Sequence, residues 1–319
     1  MDGGPLFSIL IPTYNVEPWI GRCLDSVLGQ TYGDLEVRVH DDGSCDGTLE
    51  AVARHSDGRV VVTRSDRNEG TMDALRRLKD FRGRYVLYVD GDDELAPDAL
   101  ETLVPLIRDD PGTGMWIMPI GEIWGEARTD MWRMPAVDAS TPDGIWRAWE
   151  GSADHWLRWG RLVRADVAVA SVPAQDVEWI VEDRFWGPTY WLNAGRIRTV
   201  AADRPACWYR RGVGTWDNPE RRNAGRERSD RPEDVVRHVK EVVDLVRYHG
   251  ASLVRHGIPE RIADFCRHVS PAWCRERIME HPEPFRRRML AYVDAHFTRD
   301  GMPTDYMLRL AFAAAEGLF

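Results

Sequence analysis

Residues 85–93 read Tyr85-Val86-Leu87-Tyr88-Val89-Asp90-Gly91-Asp92-Asp93, so five apolar or aromatic residues run directly into a loop with three carboxylates. A short apolar run that ends at a turn residue is typical of a buried strand in a parallel sheet. A similar run comes earlier at Phe7–Ile11, and Leu35, Val37 and Val39 alternate with charged residues in a second strand pattern; polar residues follow both. The sequence therefore predicts several buried strands with polar residues at their carboxyl ends.

Helical patterns separate these strands. Ile20, Leu24 and Val27 recur at helical spacing after the first strand, and Leu100 and Leu103 do so after the acidic loop. Strands that alternate with helices predict an α/β fold with a doubly wound, mostly parallel sheet. Ligands bind at the carboxyl ends of the strands in such sheets, so we expect the polar clusters to share one edge.

The rest of the chain has two different patterns. Residues 111–216 are irregular and rich in tryptophan, whereas residues 217–319 are predicted to form a C-terminal α-helical extension. An apolar stripe at helical spacing, over residues 235–246, is the clearest sign of that extension. Further elements are predicted as short strands at Trp116–Ile120, Arg196–Ala201 and Cys207–Arg210, a linker at Gly212–Arg231, and helices that begin near Pro259, Glu283 and Pro303.

Composition limits the partners and the compartment. Lys and Arg total 42 against 52 Asp and Glu, a net charge of −10, which argues against nucleic acid because phosphate binding favours a basic surface. Five scattered cysteines without a C-x-x-C pair favour a reducing cytoplasm. No apolar run approaches the roughly 20 residues that cross a bilayer, and no signal-peptide pattern opens the chain. We expect a cytoplasmic protein without a transmembrane segment; its oligomeric state stays open, with a homo-oligomer as one outcome.

The acidic loop Asp90–Asp93 has two chemical interpretations. Alternate carboxylates in a turn can bind one Mg²⁺ or Mn²⁺ and leave positions open for diphosphate oxygens. The same aspartates can instead cap the helix that follows. A helix–loop–helix calcium site is disfavoured because Leu95 stands where glycine is needed and Pro97 interrupts the loop. A phospho-acceptor receiver domain is disfavoured because the pair Asp41-Asp42 follows the second strand rather than the first.

Four segments together resemble the family 2 inverting glycosyltransferases of the A-type fold. They are Ile11-Pro12-Thr13-Tyr14-Asn15, Asp41-Asp42-Gly43-Ser44 with Asp46-Gly47-Thr48, Asn68-Glu69-Gly70, and Asp90-Gly91-Asp92-Asp93. Later segments that look like the family are Trp159–Arg164, Glu182-Asp183 and Trp208-Tyr209-Arg210. The resemblance covers roughly residues 6–216. It implies a catalytic domain over residues 1–216, with a nucleotide-sugar-binding half at 1–110, an acceptor-binding half at 111–216, and the helical region 217–319 outside it.

The resemblance also implies a role for each residue of the motifs. Thr13 and Tyr14 would line the nucleobase, with the tyrosine ring offering a stacking face, and Asp42 would accept a hydrogen bond from the base. Asp92 would bind Mn²⁺ or Mg²⁺ directly, and Asp90 would contact the ribose or the metal. The metal would offset the charge that grows on the departing diphosphate. The remaining predicted donor-site residues are Pro12, Glu17, Asn68, Gly70, Gly91 and Asp93, the last of them on the donor sugar.

Asp183 is the predicted general base. A sugar hydroxyl is a poor nucleophile until its proton is removed, and a positioned carboxylate contributes about 10²–10⁴-fold. Glu182 is the weaker candidate, and an ion pair between Asp183 and Arg184 is the structural alternative. Candidates for a further contact to the metal or the diphosphate are Arg210, Arg211 and His155.

Partners follow from the same resemblance. The expected donor is a nucleoside-diphosphate sugar, with UDP preferred over dTDP or GDP, and the acceptor is a carbohydrate or a glycosylated small molecule. Trp156, Trp159 and Trp186 are candidates to stack on the acceptor, although most tryptophans are packing residues. A sugar-nucleotidyltransferase is a disfavoured alternative because residues 12–19 contain neither glycine nor a cation for a triphosphate. A non-catalytic nucleotide-sugar-binding relative is disfavoured because the metal and base carboxylates are both present.

Overall fold

The computed structural model describes residues 3–132, 136–152, 158–172, 187–213, 245, 248–262 and 264–265, with the backbone alone for 130–132. Several predicted features lie outside these ranges. They are the base candidates Asp183 and Glu182 with Arg184, the contact candidates His155, Trp156 and Trp186, most of the linker and of the stripe at 235–246, and the helix starts at Glu283 and Pro303.

The first part of the chain forms the parallel region of a large sheet. Its elements are β1 (Phe7–Thr13), α1 (Glu17–Leu28), β2 (Leu35–Asp41), α2 (Thr48–Ala53), β3 (Val60–Arg64), α3 (Thr71–Arg77) and β4 (Tyr85–Tyr88). The strands lie in the order β3-β2-β1-β4 and are parallel to one another. The predicted α/β fold with a mostly parallel sheet is confirmed, and the carboxyl ends of β1, β2 and β4 lie at one edge.

The later elements complete two sheets. They are β5 (Glu94–Leu95), α4 (Ala99–Asp109), β6 (Met115–Ile117), β7 (Ile120–Trp124), β8 (Ala127–Trp132), β9 (Asp138–Ala139), α5 (Pro142–Glu150), β10 (Arg161–Arg164), α6 (Ala165–Ser171), α7 (Pro188–Asn193), β11 (Ile197–Thr199) and β12 (Cys207–Arg210). The large sheet continues from β4 as β10-β6-β11-β9, with β10 antiparallel to both of its neighbours. A second sheet has the order β5-β12-β7-β8, and because β5 directly follows the acidic loop, this sheet fixes the far end of that loop.

The predicted strand Trp116–Ile120 is two strands. β6 ends at Ile117 and pairs in the large sheet, whereas β7 begins at Ile120 and pairs in the second sheet. Pro119 lies between them, and proline has no N–H to donate to a sheet ladder. The chain therefore changes sheets at a point where the apolar pattern is continuous. The other two late strands form where predicted, β11 within Arg196–Ala201 and β12 at Cys207–Arg210.

Buried helix faces hold the strand ends in place. All seven residues of β1 are buried, as expected for a strand with a neighbour on each side. α1 buries Ile20, Leu24 and Val27, and α4 buries Leu100 and Leu103, which are the stripes that the helical period predicts. Full burial of one such side chain stabilises the fold by about 1.5–3 kcal/mol. The edge of the sheet that carries the polar loops is thus a rigid platform.

The chain divides into two compact units, one made of residues 1–174 with 190–219 and the other of residues 175–189 with 220–319. In the second unit, residues 248–255 are helical and His249 is buried. The hydroxyl of Thr189 lies 2.8 Å from His249 Nδ1, and the ring of Phe265 meets the imidazole edge-on at 4.9 Å. A short 3-10 helix occupies Pro259–Arg261, where a helix start is predicted. Among the described residues, no helix has the length and apolarity to cross a membrane.

Candidate active site

The acidic loop packs directly on the end of β1. A Cβ atom at Gly91 would lie 2.9 Å from Thr13 Cγ2 and 3.1 Å from Val16 Cγ2, which is closer than a side chain tolerates. Glycine therefore lets the loop approach β1 at this point. The predicted metal loop and the predicted nucleobase residue Thr13 are brought together by this contact.

Asp90 is held by an arginine that the motifs do not include. Arg158 donates from Nη2 to Asp90 Oδ1, and its side chain is only 4% exposed against 27% for Asp90. The backbone carbonyl of Asp90 also accepts a hydrogen bond from Cys23 Sγ at 3.6 Å. A guanidinium beside a carboxylate favours its charged form and fixes its orientation. Arg158 stands one residue before the segment Trp159–Arg164, and nothing in the local pattern marks it.

Arg210 holds the rest of the loop. Its backbone N–H donates to Asp93 Oδ1 at 2.8 Å, and its Nε donates to the Asp92 carbonyl at 3.0 Å. The same side chain, 4% exposed, forms an ion pair with Glu94 and donates to the Gly125 carbonyl at 3.3 Å. These contacts make Arg210 a positioning residue for the loop. The contact of Arg210 with the diphosphate stays a prediction, and the guanidinium would have to make it beside the bonds that it already forms to the loop and the hairpin.

Arg211, the neighbouring candidate, is also engaged. Its Nε and Nη2 donate to Glu122 Oε1 at 2.9 and 2.6 Å, and its guanidinium lies 5.0 Å from the centre of the Tyr209 ring. Trp159 stacks on the same Tyr209 ring; the two ring centroids are 4.9 Å apart and the ring planes differ by 8°. Trp159 is 7% exposed, so it packs in the interior. The burial of Trp159 argues against its predicted stacking on an acceptor sugar.

Negative charge is concentrated on this loop. Burial raises the pKa of Asp93 well above its usual range, and the charges of Asp92 and Asp90 raise it further. Burial and then the same carboxylates raise the pKa of the Cys23 thiol. Asp93 is 5% exposed and holds β12, and its predicted contact with the donor sugar stays a prediction.

The donor set fits a hard divalent cation that shares its ligands with a substrate. Asp90 and Asp92 offer carboxylate oxygens, which Mg²⁺ and Mn²⁺ prefer. Within the part of the chain that the structure describes, no cluster of three His, Cys, Asp or Glu residues forms a full metal cage. A cation held by one or two carboxylates would keep positions for phosphate oxygens, as Mg²⁺ does in many nucleotide sites.

The second acidic loop, at Asp41-Asp42, is bonded to backbone amides. Asp42 accepts from the N–H of Glu69 at 2.9 Å and from the N–H of Gly70 at 2.8 Å. Gly43 has φ of 74°, and a Cβ there would lie 2.5 Å from the carbonyl carbon of Arg67. These contacts clamp residues 67–70 onto the end of β2. The predicted donor-site residues Asp42, Asn68 and Gly70 therefore lie in one place, as the resemblance implies.

The loop after β1 is tied to the same place. Asn15 has a φ of 52°, its N–H donates to Ser44 Oγ at 2.9 Å, and its Oδ1 accepts from the N–H of Cys45 at 2.9 Å. Glu17 accepts from the N–H of Gly47 at 2.9 Å, so its carboxylate closes the loop rather than standing open. Tyr14 lies in this loop, next to Asn15, and its side chain is 41% exposed. Its ring is thus accessible for stacking while the backbone around it is fixed.

A buried histidine, His40 of β2, connects the strands to the loop at Glu69 through side-chain hydrogen bonds. His40 Nδ1 lies 2.8 Å from Thr63 Oγ1 and His40 Nε2 lies 3.1 Å from Ser65 Oγ. Ser65 donates to Glu69 Oε2 at 3.1 Å, so its oxygen must accept from His40, which places a hydrogen on Nε2. Burial lowers the pKa of His40, although the nearby charge of Asp42 opposes this. The neutral imidazole links β2 and β3 to the loop at Glu69, a role that the sequence does not signal.

A search for related sequences gives the family. The sequence profile of glycosyl transferase family 2 matches residues 8–160. This chain carries a glycosyl transferase family 2 domain. The matched range contains the loop after β1, both acidic loops and Arg158, whereas Arg210 and Arg211 lie beyond it.

Three comparisons place the family 2 domain among known proteins. The chondroitin synthase of Escherichia coli is 42% identical over 111 residues, which are 33% of this chain and 16% of that protein's length. S. aureus TarS 1–349, crystallised in complex with UDP-GlcNAc, is similar over 98% of this chain and 92% of its own, with 16% identity and a TM-score of 0.53. The mannosyltransferase PcManGT from Pyrobaculum calidifontis, in complex with GDP-Man and Mn²⁺, is similar over 100% of this chain and 82% of its own, with 18% identity and a TM-score of 0.50. At these identities the two structures support the fold alone.

Proposed function

We propose that this protein is an inverting, metal-dependent glycosyltransferase that moves a sugar from a UDP-sugar to an acceptor hydroxyl. The observation that carries the proposal is the meeting of the Gly91 loop with Thr13 at the carboxyl edge of the sheet. It puts a carboxylate loop suited to a divalent cation next to an exposed aromatic ring, that of Tyr14, at the place where α/β sheets bind nucleotides. The family match supports the same activity.

The nucleoside would lie across the ends of β1 and β2. Tyr14 would stack on the base, and Thr13 and Pro12 would form the wall beneath it. Asp42 uses one lone pair of each oxygen on the amides of Glu69 and Gly70, and a carboxylate has further lone pairs that can accept from a base N–H. The preference for UDP is supported by the UDP-GlcNAc complex of TarS, and GDP is the alternative that the GDP-Man complex of PcManGT brings forward.

The diphosphate would lie at the acidic loop. Asp92 would bind the cation directly, and Asp90 would contact the cation or the ribose with the face that Arg158 does not occupy. Mn²⁺ or Mg²⁺, when bound, would act as a Lewis acid that stabilises the charge on the departing diphosphate. Arg158 would keep the Asp90 carboxylate oriented and Arg210 would hold the loop backbone at Asp92, so that little reorganisation is needed when that charge develops.

Asp183 is proposed as the general base, with Glu182 as the weaker candidate. It would take the proton of the acceptor hydroxyl, and the oxygen would attack the anomeric carbon on the face opposite the diphosphate, which inverts the configuration. Both residues follow the family 2 match in the chain and lie outside the described residues. The proposal for the base is supported by the motif order alone.

A reducing, cytoplasmic location is part of the proposal. Cys23, Cys45 and Cys207 are free thiols, in agreement with their scattered positions in the sequence.

Nucleotide and metal binding can be tested by thermal unfolding. We expect UDP with Mn²⁺ to raise the Tm by several degrees, more than GDP or dTDP do, because a ligand that binds only the folded state stabilises it. Asp92→Asn should abolish the Mn²⁺-dependent part of that rise. Asp57→Asn, in a surface pair with Arg59, is the matched control and should behave as wild type. A UDP shift of equal size with and without metal would remove the metal from the proposal, and no shift with any nucleoside diphosphate would overturn it.

The base is tested by activity. Asp183→Asn should reduce UDP release from a UDP-sugar in the presence of acceptor at least ~100-fold, within the range that a general base contributes, and should keep the UDP–Mn²⁺ shift. Glu182→Gln is the matched control and should retain more activity than Asp183→Asn. The opposite order would make Glu182 the base. Release of pyrophosphate from a nucleoside triphosphate and a sugar phosphate would identify the nucleotidyltransferase alternative instead.

A further inference from the structure

The hairpin of β7 and β8 carries an exposed tryptophan, Trp124. Its side chain is 55% exposed, whereas Trp116, Trp146, Trp149 and Trp191 are fully buried. The indole Nε1 donates to Glu122 Oε2 at 2.9 Å, two residues earlier on the same face of β7. This hydrogen bond fixes the orientation of the ring without covering its faces. A ring that is oriented in advance loses little conformational entropy when a ligand stacks on it.

One guanidinium connects this hairpin to the acidic loop. Arg210 donates from Nε to the Asp92 carbonyl at 3.0 Å and from Nη1 to the Gly125 carbonyl at 3.3 Å. Gly125 is the residue after Trp124, with φ of 61° in the hairpin turn. The hairpin backbone directly after Trp124 is therefore tied to the loop to which the proposed function assigns the diphosphate.

The ring also ends a row of flat side chains on one face of the second sheet. Glu122 is in register with Tyr209, and Arg211 bonds Glu122 while it covers the Tyr209 ring. Trp159, stacked on Tyr209, begins the row, and its neighbour Arg158 holds Asp90. Trp124 is the open end of this row. The row thus runs from the acidic loop to the surface along a single face.

The charges beside Trp124 come in pairs. Glu122 pairs with Arg211 at 2.6 Å, Glu126 pairs with Arg22 at 3.0 Å, and Arg128 pairs with Glu94 at 2.6 Å. A cation that already has a carboxylate partner offers little to a uronate or a phosphate, because binding would have to replace that partner. The paired carboxylates and guanidiniums still offer acceptors and donors to hydroxyl groups. These paired charges around Trp124 favour an uncharged polyhydroxyl ligand.

We propose that Trp124 is the stacking platform of a subsite for a neutral saccharide, the part of the acceptor chain that extends away from the reacting hydroxyl. The inference rests on the proposed function for the direction of the acceptor, but binding at the ring does not depend on it. The indole covers the C–H face of a pyranose, and the side chains of Glu122 and Arg211 meet its hydroxyl groups at the rim.

Saturation-transfer NMR on the full chain tests the subsite with maltotetraose, cellotetraose, mannotetraose and chitotetraose as probes. At least one of them should bind wild type, and Trp124→Ala should weaken that binding about tenfold. Trp124→Phe keeps a ring and should weaken it less. Val169→Ala, which shortens an exposed side chain on α6, is the control and should change nothing. Unchanged binding in Trp124→Ala, binding of none of the four probes by wild type, or stronger binding of an unsulfated chondroitin tetrasaccharide would each overturn the proposal.

A parallel measurement separates this subsite from the nucleotide site. The UDP–Mn²⁺ shift in Tm should be the same in Trp124→Ala as in wild type, which also shows that the variant is folded. Loss of that shift together with saccharide binding would mean that Trp124 supports the fold of the loop, and would overturn the subsite. Absence of the shift in wild type would overturn the proposed function, while the NMR result would still decide the subsite.

Discussion

The two acidic loops at the edge of the sheet look alike in sequence and are built in different ways. The carboxylates of Asp41 and Asp42 follow β2 and accept mainly from backbone amides, those of Ser44, Glu69 and Gly70, with Arg64 at 3.5 Å from Asp41 as a cationic partner. Of the carboxylates that follow β4, those of Asp90 and Glu94 are paired with the arginine side chains of Arg158 and Arg210, which come from distant parts of the chain.

The difference shows what each loop is suited to do. A carboxylate that bonds backbone amides acts as a structural clamp, because both partners are fixed by the fold and the amides carry no net charge. Carboxylates that are gathered together and only partly compensated retain a negative potential that a cation can neutralise. The first loop is thus a structural clamp at the end of β2, and the second loop concentrates negative charge at the end of β4.

The largest effect is expected when the charge balance of the second loop is broken. Arg158→Ala leaves Asp90 beside two other carboxylates without its guanidinium, so we expect the free energy of unfolding to fall by about 2–3 kcal/mol. Loss of one partner from a fully buried pair costs about 3–5 kcal/mol, and the partial exposure of Asp90 lowers that figure. Urea denaturation measures the change.

Arg22→Ala is the matched control for Arg158→Ala. Its pair with Glu126 is solvent-exposed, with 51% and 81% of the two side chains accessible. An exposed pair contributes about 0–1 kcal/mol, so this variant should stay close to wild type. Equal losses for the two arginines would contradict the role given to Arg158.

The clamp of the first loop is tested by Asp42→Asn. An asparagine can accept from only one of the amides of Glu69 and Gly70 and turns an N–H₂ toward the other, so we expect a loss of about 1–2 kcal/mol. Hydrogen exchange should become faster at those two amides in particular. Asp73→Asn, in a surface pair with Arg76, is the control and should exchange as wild type. Unchanged protection at Glu69 and Gly70 would show that Asp42 does not hold the loop.

The smallest effect concerns pH and His40. Burial holds the folded-state pKa of His40 below its usual value of about 6.5, so below that pH the unfolded chain binds a proton that the folded chain does not. This residue should therefore make stability fall as the pH decreases from about 6.5, by less than ~1.4 kcal/mol per pH unit. In His40→Gln that part of the slope should disappear. Identical slopes between pH 6.5 and 5.5 would contradict the burial argument.

The sequence predicted the elements whose local pattern is strong. An apolar run predicted β1 and an alternating pattern predicted β2, both near their observed bounds, and the apolar stripe of α1 matched its buried face. The strand ends that carry the carboxylates also lie at one edge of the sheet as predicted, because parallel strands must bring their carboxyl ends to one edge. Turn residues such as Gly43 and Gly91 could be recognised as loop positions, but the close contacts that require glycine there became visible only in the structure.

The sequence did not predict the contacts that act across the fold. The break at Pro119 was missed because the residues on both sides of it are apolar and read as one strand. Trp124 was not distinguished from the buried tryptophans, since exposure depends on which face of which strand a ring occupies. His40 was missed because a single histidine in an alternating strand has no pattern of its own.

The sequence by itself determined the order of strands and helices and the positions of the acidic residues at strand ends, because these depend on local periodicity and on the chemistry of neighbouring residues. The tertiary structure decided which cation compensates which carboxylate. Arg158 reaches the Asp90 carboxylate across 68 residues, and Arg210 reaches the Glu94 carboxylate across 116. No local rule relates residues so far apart, because their proximity arises only when the core has packed and two sheets have been placed around one loop.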